Sequence, residues 1–222
     1  MMQFYAKSIR SGFPELTSAV LRIDGVTATG NVSIWTAHYS DIARSRLGND
    51  TEASFPEVQA WRRAFAKMGL KPTQYRCASE ALLRRFRKEG SLPPIHPLVD
   101  LCNAISMAFG IPIAVFDLQK ISGDLEVKYA DGSERYETLG GEIERPDAGE
   151  VIMADSQGNA HARRWVNRQS GLSAVRAATT SALVVAESMH EGGAYDLARL
   201  SSALRTTAAE TWPHANVHLM PP

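Results

Sequence analysis

The sequence predicts an α+β fold in which helices pack on a mixed or mostly antiparallel sheet. Apolar residues recur at helical spacing through positions 56–109, extended runs replace them from 113 to 154, and Ala-rich segments return the pattern to helix near the end. The 222 residues, 44% hydrophobic and 22% charged, suit one domain over 1–222 with a substantial core. That composition excludes disordered, collagen-like and coiled-coil chains.

Gln3 to Ile9 and Leu16 to Ile23 read as strands, separated by the turn-forming Ser11-Gly12-Phe13-Pro14. Ser54, Pro56 and Glu57 signal a helix start, and Val58, Trp61, Phe65 and Met68 follow at helical spacing before Gly69. Ser79 to Glu89 is a second helix, with Leu82, Leu83 and Phe86 inward, Arg84, Arg85, Arg87 and Lys88 largely outward, and Gly90 as its stop. Pro97 to Phe109 is apolar nearly all round, which predicts a buried helix ended by Gly110. Beyond it, Ile113 to Leu118, Leu125 to Ala130, Tyr136 to Leu139 and Val151 to Ala154 are short strands, with Asp131-Gly132 as a hairpin turn between two of them. Val175 to Ser188 and Tyr195 to Thr211 read as helices on either side of the Gly192-Gly193 break.

The 24 basic and 24 acidic residues cancel to a net charge of +0, which argues against a protein that coats nucleic acid by bulk charge. Their distribution is uneven. Between Arg62 and Lys88 nine basic residues face the single acid Glu80, whereas eleven acids face four basic residues from Asp117 to Asp155. The basic block is either a set of solvated helix faces or a phosphate-binding surface.

No stretch approaches the roughly 20 apolar residues of a membrane helix, and the N-terminus lacks the apolar centre of a signal peptide. The cytoplasm is therefore the expected location, with no membrane partner. Cys77 and Cys102 lie far apart without a CxxC motif, and the acids form no loop of the EF-hand kind, so no disulfide framework, metal or other cofactor is expected. GxSxG and GxxxxGK[ST] patterns are missing, which removes the serine hydrolase and P-loop readings.

From Ala78 to about Gly171 the chain carries an ordered series: Leu92-Pro93-Pro94-Ile95, Leu98-Val99-Asp100, Asn103, Gly110-Ile111-Pro112, Phe116-Asp117-Leu118, Lys120-Ile121-Ser122-Gly123 and Asp155-Ser156-Gln157-Gly158. In order and spacing this series resembles the B3/B4 domain of the phenylalanyl-tRNA synthetase β subunit and the free-standing proteins built from that domain, and with the flanking helices it extends to about 10–205. The resemblance implies an α+β domain around an amino-acid-sized pocket, and deacylation of a mischarged tRNA in trans. A second sieve of this kind corrects what binding alone discriminates poorly. The chain has no adenylation motifs, so the resemblance does not imply a complete ligase.

The chain departs from the family pattern where the chemistry lies. The family's HAFD segment, whose His lies in the pocket, here reads Ala114-Val115-Phe116-Asp117, and INN reads Ile95-His96-Pro97. The GVMGG segment, which leads into a glutamate that recognises the tyrosine hydroxyl, reads Trp165-Val166-Asn167-Arg168-Gln169-Ser170. Tyrosine specificity is not implied.

Ester hydrolysis needs a polarised carbonyl, a held water and a group that takes its proton. Asn103, an amide in an apolar helix, either bonds a neighbouring loop or faces a pocket. His96 is either a base or a structural histidine at a helix start. Asp117 either orients a ligand ammonium or caps the next turn, and Asp155, heading a polar loop, carries the same alternatives. Asn167, Arg168 and Gln169, three hydrogen-bonding side chains in a row, either recognise a ligand or form a solvated loop, and Tyr75-Arg76 either offers stacking and charge to a nucleotide end or is a surface arginine beside a packed tyrosine.

The expected catalytic set is thus Asn103, His96, Asp117 and Gln169, with Arg168, Asn167, Asp155, Ala114 and Phe116 binding substrate and Arg76, Arg84, Arg85, Arg87 and Lys88 binding tRNA. Asn103, His96, Asp117, Arg168 and Gln169 are expected to converge on one cavity. The partners expected are tRNA or aminoacyl-tRNA and an amino acid. The alternative is a non-catalytic RNA- or amino-acid-binding module that keeps the fold.

Overall fold

A computed structural model describes residues 4–48 and 50–221. In chain order the elements are α1 (Lys7–Gly12), β1 (Thr17–Asp24), α2 (Ser33–Leu47), α3 (Pro56–Lys67), α4 (Ala78–Glu89), α5 (Pro97–Phe109), β2 (Ile113–Asp117), β3 (Leu125–Tyr129), β4 (Arg135–Glu137) and β5 (Ile143–Glu144). They continue with β6 (Val151–Asp155), β7 (Asn159–Arg163), β8 (Arg168–Gln169), β9 (Ser181–Ser188), α6 (Gly193–Thr211) and β10 (Asn216–Met220).

Two sheets result. The first, in the order β10-β1-β9-β2, is antiparallel throughout. The second runs β3-β6-β7-β4-β5 with β8 on β7, and its β4–β7 pair is parallel, so it is mixed. The α+β class expected from the sequence is the class observed.

Alternation along the strands of the first sheet divides the interior. Leu21 and Ile23 of β1, Ile113 and Val115 of β2 and Val184 of β9 point to one face, where Leu98, Leu101 and Ile105 of α5 and Leu197, Leu200 and Leu204 of α6 cover them. Val20, Phe116, Leu183 and Val185 point to the other face and meet Val127, Val151 and Met153 of the second sheet, with Trp61 and Phe65 of α3 closing the layer. α5 is buried nearly all round, as its sequence requires, and Gly90 and Gly110 end α4 and α5 at φ 78° and 70°, a left-handed conformation that glycine adopts without strain.

Four sequence expectations change. Of the expected strand Gln3 to Ile9, Gln3 lies outside the described residues, and the rest makes only a single described bridge, Tyr5 to Val127, before the chain turns into α1 at Lys7. Val175 to Ser188 is no helix: its alanines suggested one, but Leu183-Val184-Val185 is extended, and β9 is buried on both faces between β1 and β2. Asp131-Gly132 forms a turn without a hairpin, because β3 pairs with β6 and β4 with β7. The buried Glu134 takes the N–H groups of Asp131 and Gly132, and Lys128 pairs with it at 2.7 Å, so the chain is led away from β3. Finally α2, in a stretch given no element from the sequence, buries only Tyr39 and Ala43 and so shows no wide apolar stripe.

Leu21 is fully buried at the centre of the first sheet. Leu21→Ala is expected to lower the free energy of unfolding by about 2–5 kcal/mol in a denaturant titration; a loss below about 1 kcal/mol would mean that the core relaxes around the deletion.

Candidate functional site

On the face of β2 that carries Ala114, a cavity of about 150 Å³ opens where the first residue of α4, the start of β2 and the β7–β8 loop meet. Ala78, Ala114, Trp165, Asn167, Arg168 and Gln169 line it together with Pro112 and Ile113. The loop is tied down along its length. Trp165 donates its backbone N–H to Val151 at 2.7 Å, Val166 accepts from the N–H of Ala78 at 2.9 Å, Asn167 Nδ2 donates to the Arg76 carbonyl at 2.8 Å and Gln169 Nε2 donates to the Val115 carbonyl. Each of these amides keeps its oxygen and one N–H uncommitted. Arg168 shares Glu144 with the buried Arg163 at 3.2 and 2.7 Å.

The structure brings Ala114, Asn167, Arg168 and Gln169 together but separates them from the other expected site residues. Asn103 lies on α5, on the opposite face of the first sheet from Ala114, and lines a groove of about 500 Å³ between α2 and α5. His96 is the N-cap of α5: its Nδ1 accepts the Leu98 N–H at 3.2 Å, and burial holds its proton affinity below the usual imidazole range. Asp117 is buried as a cap, accepting from Gln119 N–H at 3.0 Å and from the Thr179 hydroxyl at 2.7 Å. Phe116 is fully buried edge-on to His161, with ring centres 6.2 Å apart. The expected convergence of Asn103, His96 and Asp117 with Arg168 and Gln169 does not occur: His96 and Asn103 belong to α5, which covers the opposite face of the first sheet, and period-2 alternation in β2 turns Asp117 away from the face of Ala114.

Asp155 joins a network that left no trace in the sequence pattern. It accepts from the N–H groups of Ser122, Gln157 and Asn159 at 2.9–3.0 Å, and its Oδ2 lies 3.3 Å from His161 Nε2, whose Nδ1 lies 2.8 Å from Ser173 Oγ. Burial alone would raise the Asp155 carboxyl, but the bonds from Asn159 and Ser122 hold it below the usual carboxylate range; burial also lowers His161. Ser173 and His161 are fully buried, so this serine-histidine-aspartate row staples β7 to the 170–175 segment and offers no nucleophile to solvent. A second row, Ser188–His190–Asp196, has Glu57 beside it, with potential ligand atoms of Glu57, His190 and Asp196 within 4.8 Å of one another. Arg46 donates to both Glu57 oxygens at 2.9 and 3.0 Å and Arg199 lies 3.6 Å from Asp196, so the charge there is already balanced.

Five of the nine basic residues of the block are paired in space. Arg62 and Arg76 meet Glu80, Arg84 and Arg87 meet Glu52, and Arg85 meets Glu89. Among the described residues Arg63, Lys67, Lys71 and Lys88 have no ion-pair partner.

Sequence reading also passed over Glu187, an acid at the end of the apolar run 182–186 that is fully buried in β9. Its Oε1 accepts from Trp165 Nε1 at 2.8 Å and from the Tyr5 hydroxyl at 2.9 Å, while Oε2 has no hydrogen-bond partner. Burial pushes this carboxyl up to about 7, against the lowering effect of the two bonds and of Arg10.

Helices packed on a two-sheet α+β frame, with a cavity beside Ala114, are the features set against known proteins. The B3/4 domain model matches residues 60–210, and the chain belongs to that family. It is 30% identical over 105 residues to the phenylalanine–tRNA ligase β subunit of Shewanella oneidensis, an alignment covering 47% of this chain and 13% of that protein. It is 39% identical over 67 residues to the Bartonella quintana β subunit, covering 30% of this chain and 8% of that one. The chain thus spans about a tenth of the length of these relatives. In fold it is similar to an N-terminal fragment of the phenylalanyl-tRNA synthetase β subunit from Pyrococcus horikoshii, with a TM-score of 0.51 and 12% identity over 96% of this chain and 49% of that one.

The raised Glu187 carboxyl sets a pH dependence. The folded chain holds this proton more tightly than the unfolded chain, so the stability it contributes is full below about 4.5 and is lost as pH rises through about 7. The titratable or charged groups acting on it are Tyr5 and Arg10. Relative to Glu187→Gln, wild type is expected to lose about 3 kcal/mol of unfolding free energy between pH 4.5 and pH 8. A difference that stays constant over that interval in paired urea titrations would show that Glu187 titrates alike in both states.

Proposed function

We propose that this chain, working as one B3/4-type unit over its whole length, binds the aminoacylated 3′ end of a tRNA and hydrolyses a mischarged aminoacyl ester in trans. The observation that carries the reading is the cavity in which Ala114 meets Asn167 and Gln169, more than 50 residues further along the sequence, in a chain of this family. The free amide oxygens of Asn167 and Gln169 suit a water or an α-ammonium, and Arg168 suits a phosphate. Water attacks the ester carbonyl carbon, the bond from that carbon to the ribose oxygen breaks, and the ribose oxygen leaves with a proton originating from the water.

One observation favours a second reading, a binding module without hydrolysis. Among the described residues the cavity lining contains no His, Cys, Asp or Glu that takes a proton from water. Incubation with a panel of mischarged tRNAs separates the two: ester loss above buffer for at least one amino acid is expected, and tRNA binding without any ester loss would leave the binding module.

Phosphate contact is expected on the exposed side of α4, where Arg85 and Lys88 are available without stranding the buried Glu52 that holds Arg84 and Arg87. Replacing Arg85 and Lys88 together by Ala should weaken tRNA binding and reduce the slope of log affinity against log salt by about 0.7–0.9 for each phosphate no longer neutralised. An unchanged slope in the folded double mutant would show that this face is only solvated.

A further inference from the structure

We propose that Trp165 is the specificity-determining wall of the cavity and that Glu187 positions it, so that the cavity takes a neutral apolar group no larger than one six-membered ring. This deepens, and rests on, the reading of the cavity as the place of the aminoacyl group.

The apolar part of the remaining wall is made of small residues, Ala78, Ala114 and Ala162 with Pro112, Ile113 and Val166, while Asn167, Arg168 and Gln169 form its polar side. Trp165 is the largest side chain in the lining. It is held from three directions. Its indole N–H donates to Glu187 Oε1 at 2.8 Å, and its ring lies edge-on to Phe13 and Trp61, with centres 4.9 and 5.2 Å away. Glu187 is itself fastened, by Tyr5 at Oε1 and by Trp61 Nε1 at its backbone carbonyl, 3.3 Å away. The backbone beneath depends on these side-chain partners for its position. Arg164 and Trp165 are consecutive non-glycine residues at φ 46° and 59°, a conformation that neighbours must enforce.

The volume left by this arrangement is about 150 Å³. An apolar cavity of that order admits benzene. No carboxylate lines the space among the described residues, Asn167 and Gln169 each commit one amide N–H to a backbone carbonyl, and Arg168 is engaged with Glu144. A charged side chain would find no free counter-charge there.

The test uses the full chain with toluene and 1-methylnaphthalene as probes, read by saturation-transfer NMR. Wild type should bind toluene and discriminate against the two-ring probe by about tenfold or more. Trp165→Leu should abolish that discrimination. Glu187→Gln, which keeps the acceptor oxygen, should retain it, whereas Glu187→Leu should lose it; should Glu187→Leu fail to fold, Trp165→Phe, which lacks the indole N–H, makes the same comparison. Equal binding of both probes by wild type, binding of neither, or full discrimination in both Glu187→Leu and Trp165→Phe would overturn the proposal. Selective toluene binding without deacylation of any mischarged tRNA would leave it standing and remove the hydrolase reading. Deacylation without size discrimination would do the reverse.

Discussion

The strand Ser181–Ser188 is the constraint on which the rest of the architecture depends. Its ladder is used on both sides, by β1 and β2, and seven of its eight residues are buried. A strand in that position leaves no face for water, so each side must be covered by a separate apolar layer. The helices α5 and α6 supply one layer, and the second sheet with α3 supplies the other. Neighbouring residues of β2 then belong to different surroundings, which is why Ala114 opens on the cavity while α5 and its Asn103 stand on the far side of the sheet.

Much of the frame was legible because it follows local rules. α3, α4 and α5 each carry a helical apolar face and a clear start or stop, and the boundaries read from the sequence lie within a residue or two of those observed. β9 was not legible, because Ala182 and Ala186 favour helix locally while the decision for strand comes from partners more than 60 residues away. The site divided in the same manner. Asn167, Arg168, Gln169 and Ala114 were found because the family pattern marks their segments. Glu187, His161 and Ser173 were invisible because each acquires its role from a partner on another element, and single residues without a motif give no signal.

Charge shows the same difference between order along the chain and order in space. The segment from Arg62 to Lys88 carries an excess of eight positive charges in sequence, yet Glu52, Glu80 and Glu89 meet most of its arginines once the helices pack. Glu52 and Glu80 are buried carboxylates that need such partners. Much of that basic character is therefore committed to holding α4 against its neighbours, and the charge left for a polyanion is smaller than the composition suggests.

The paired left-handed residues Arg164 and Trp165 have a thermodynamic consequence for the loop they sit in. Each conformation of this type is worth roughly 1–3 kcal/mol of strain, stored against the anchoring bonds to Val151, Glu150 and Glu187. When those anchors open, the backbone relaxes downhill, which offsets part of the broken hydrogen bonding. Segment 163–169 is accordingly a spring under load, and local opening there requires less free energy than its burial and hydrogen bonding alone would set.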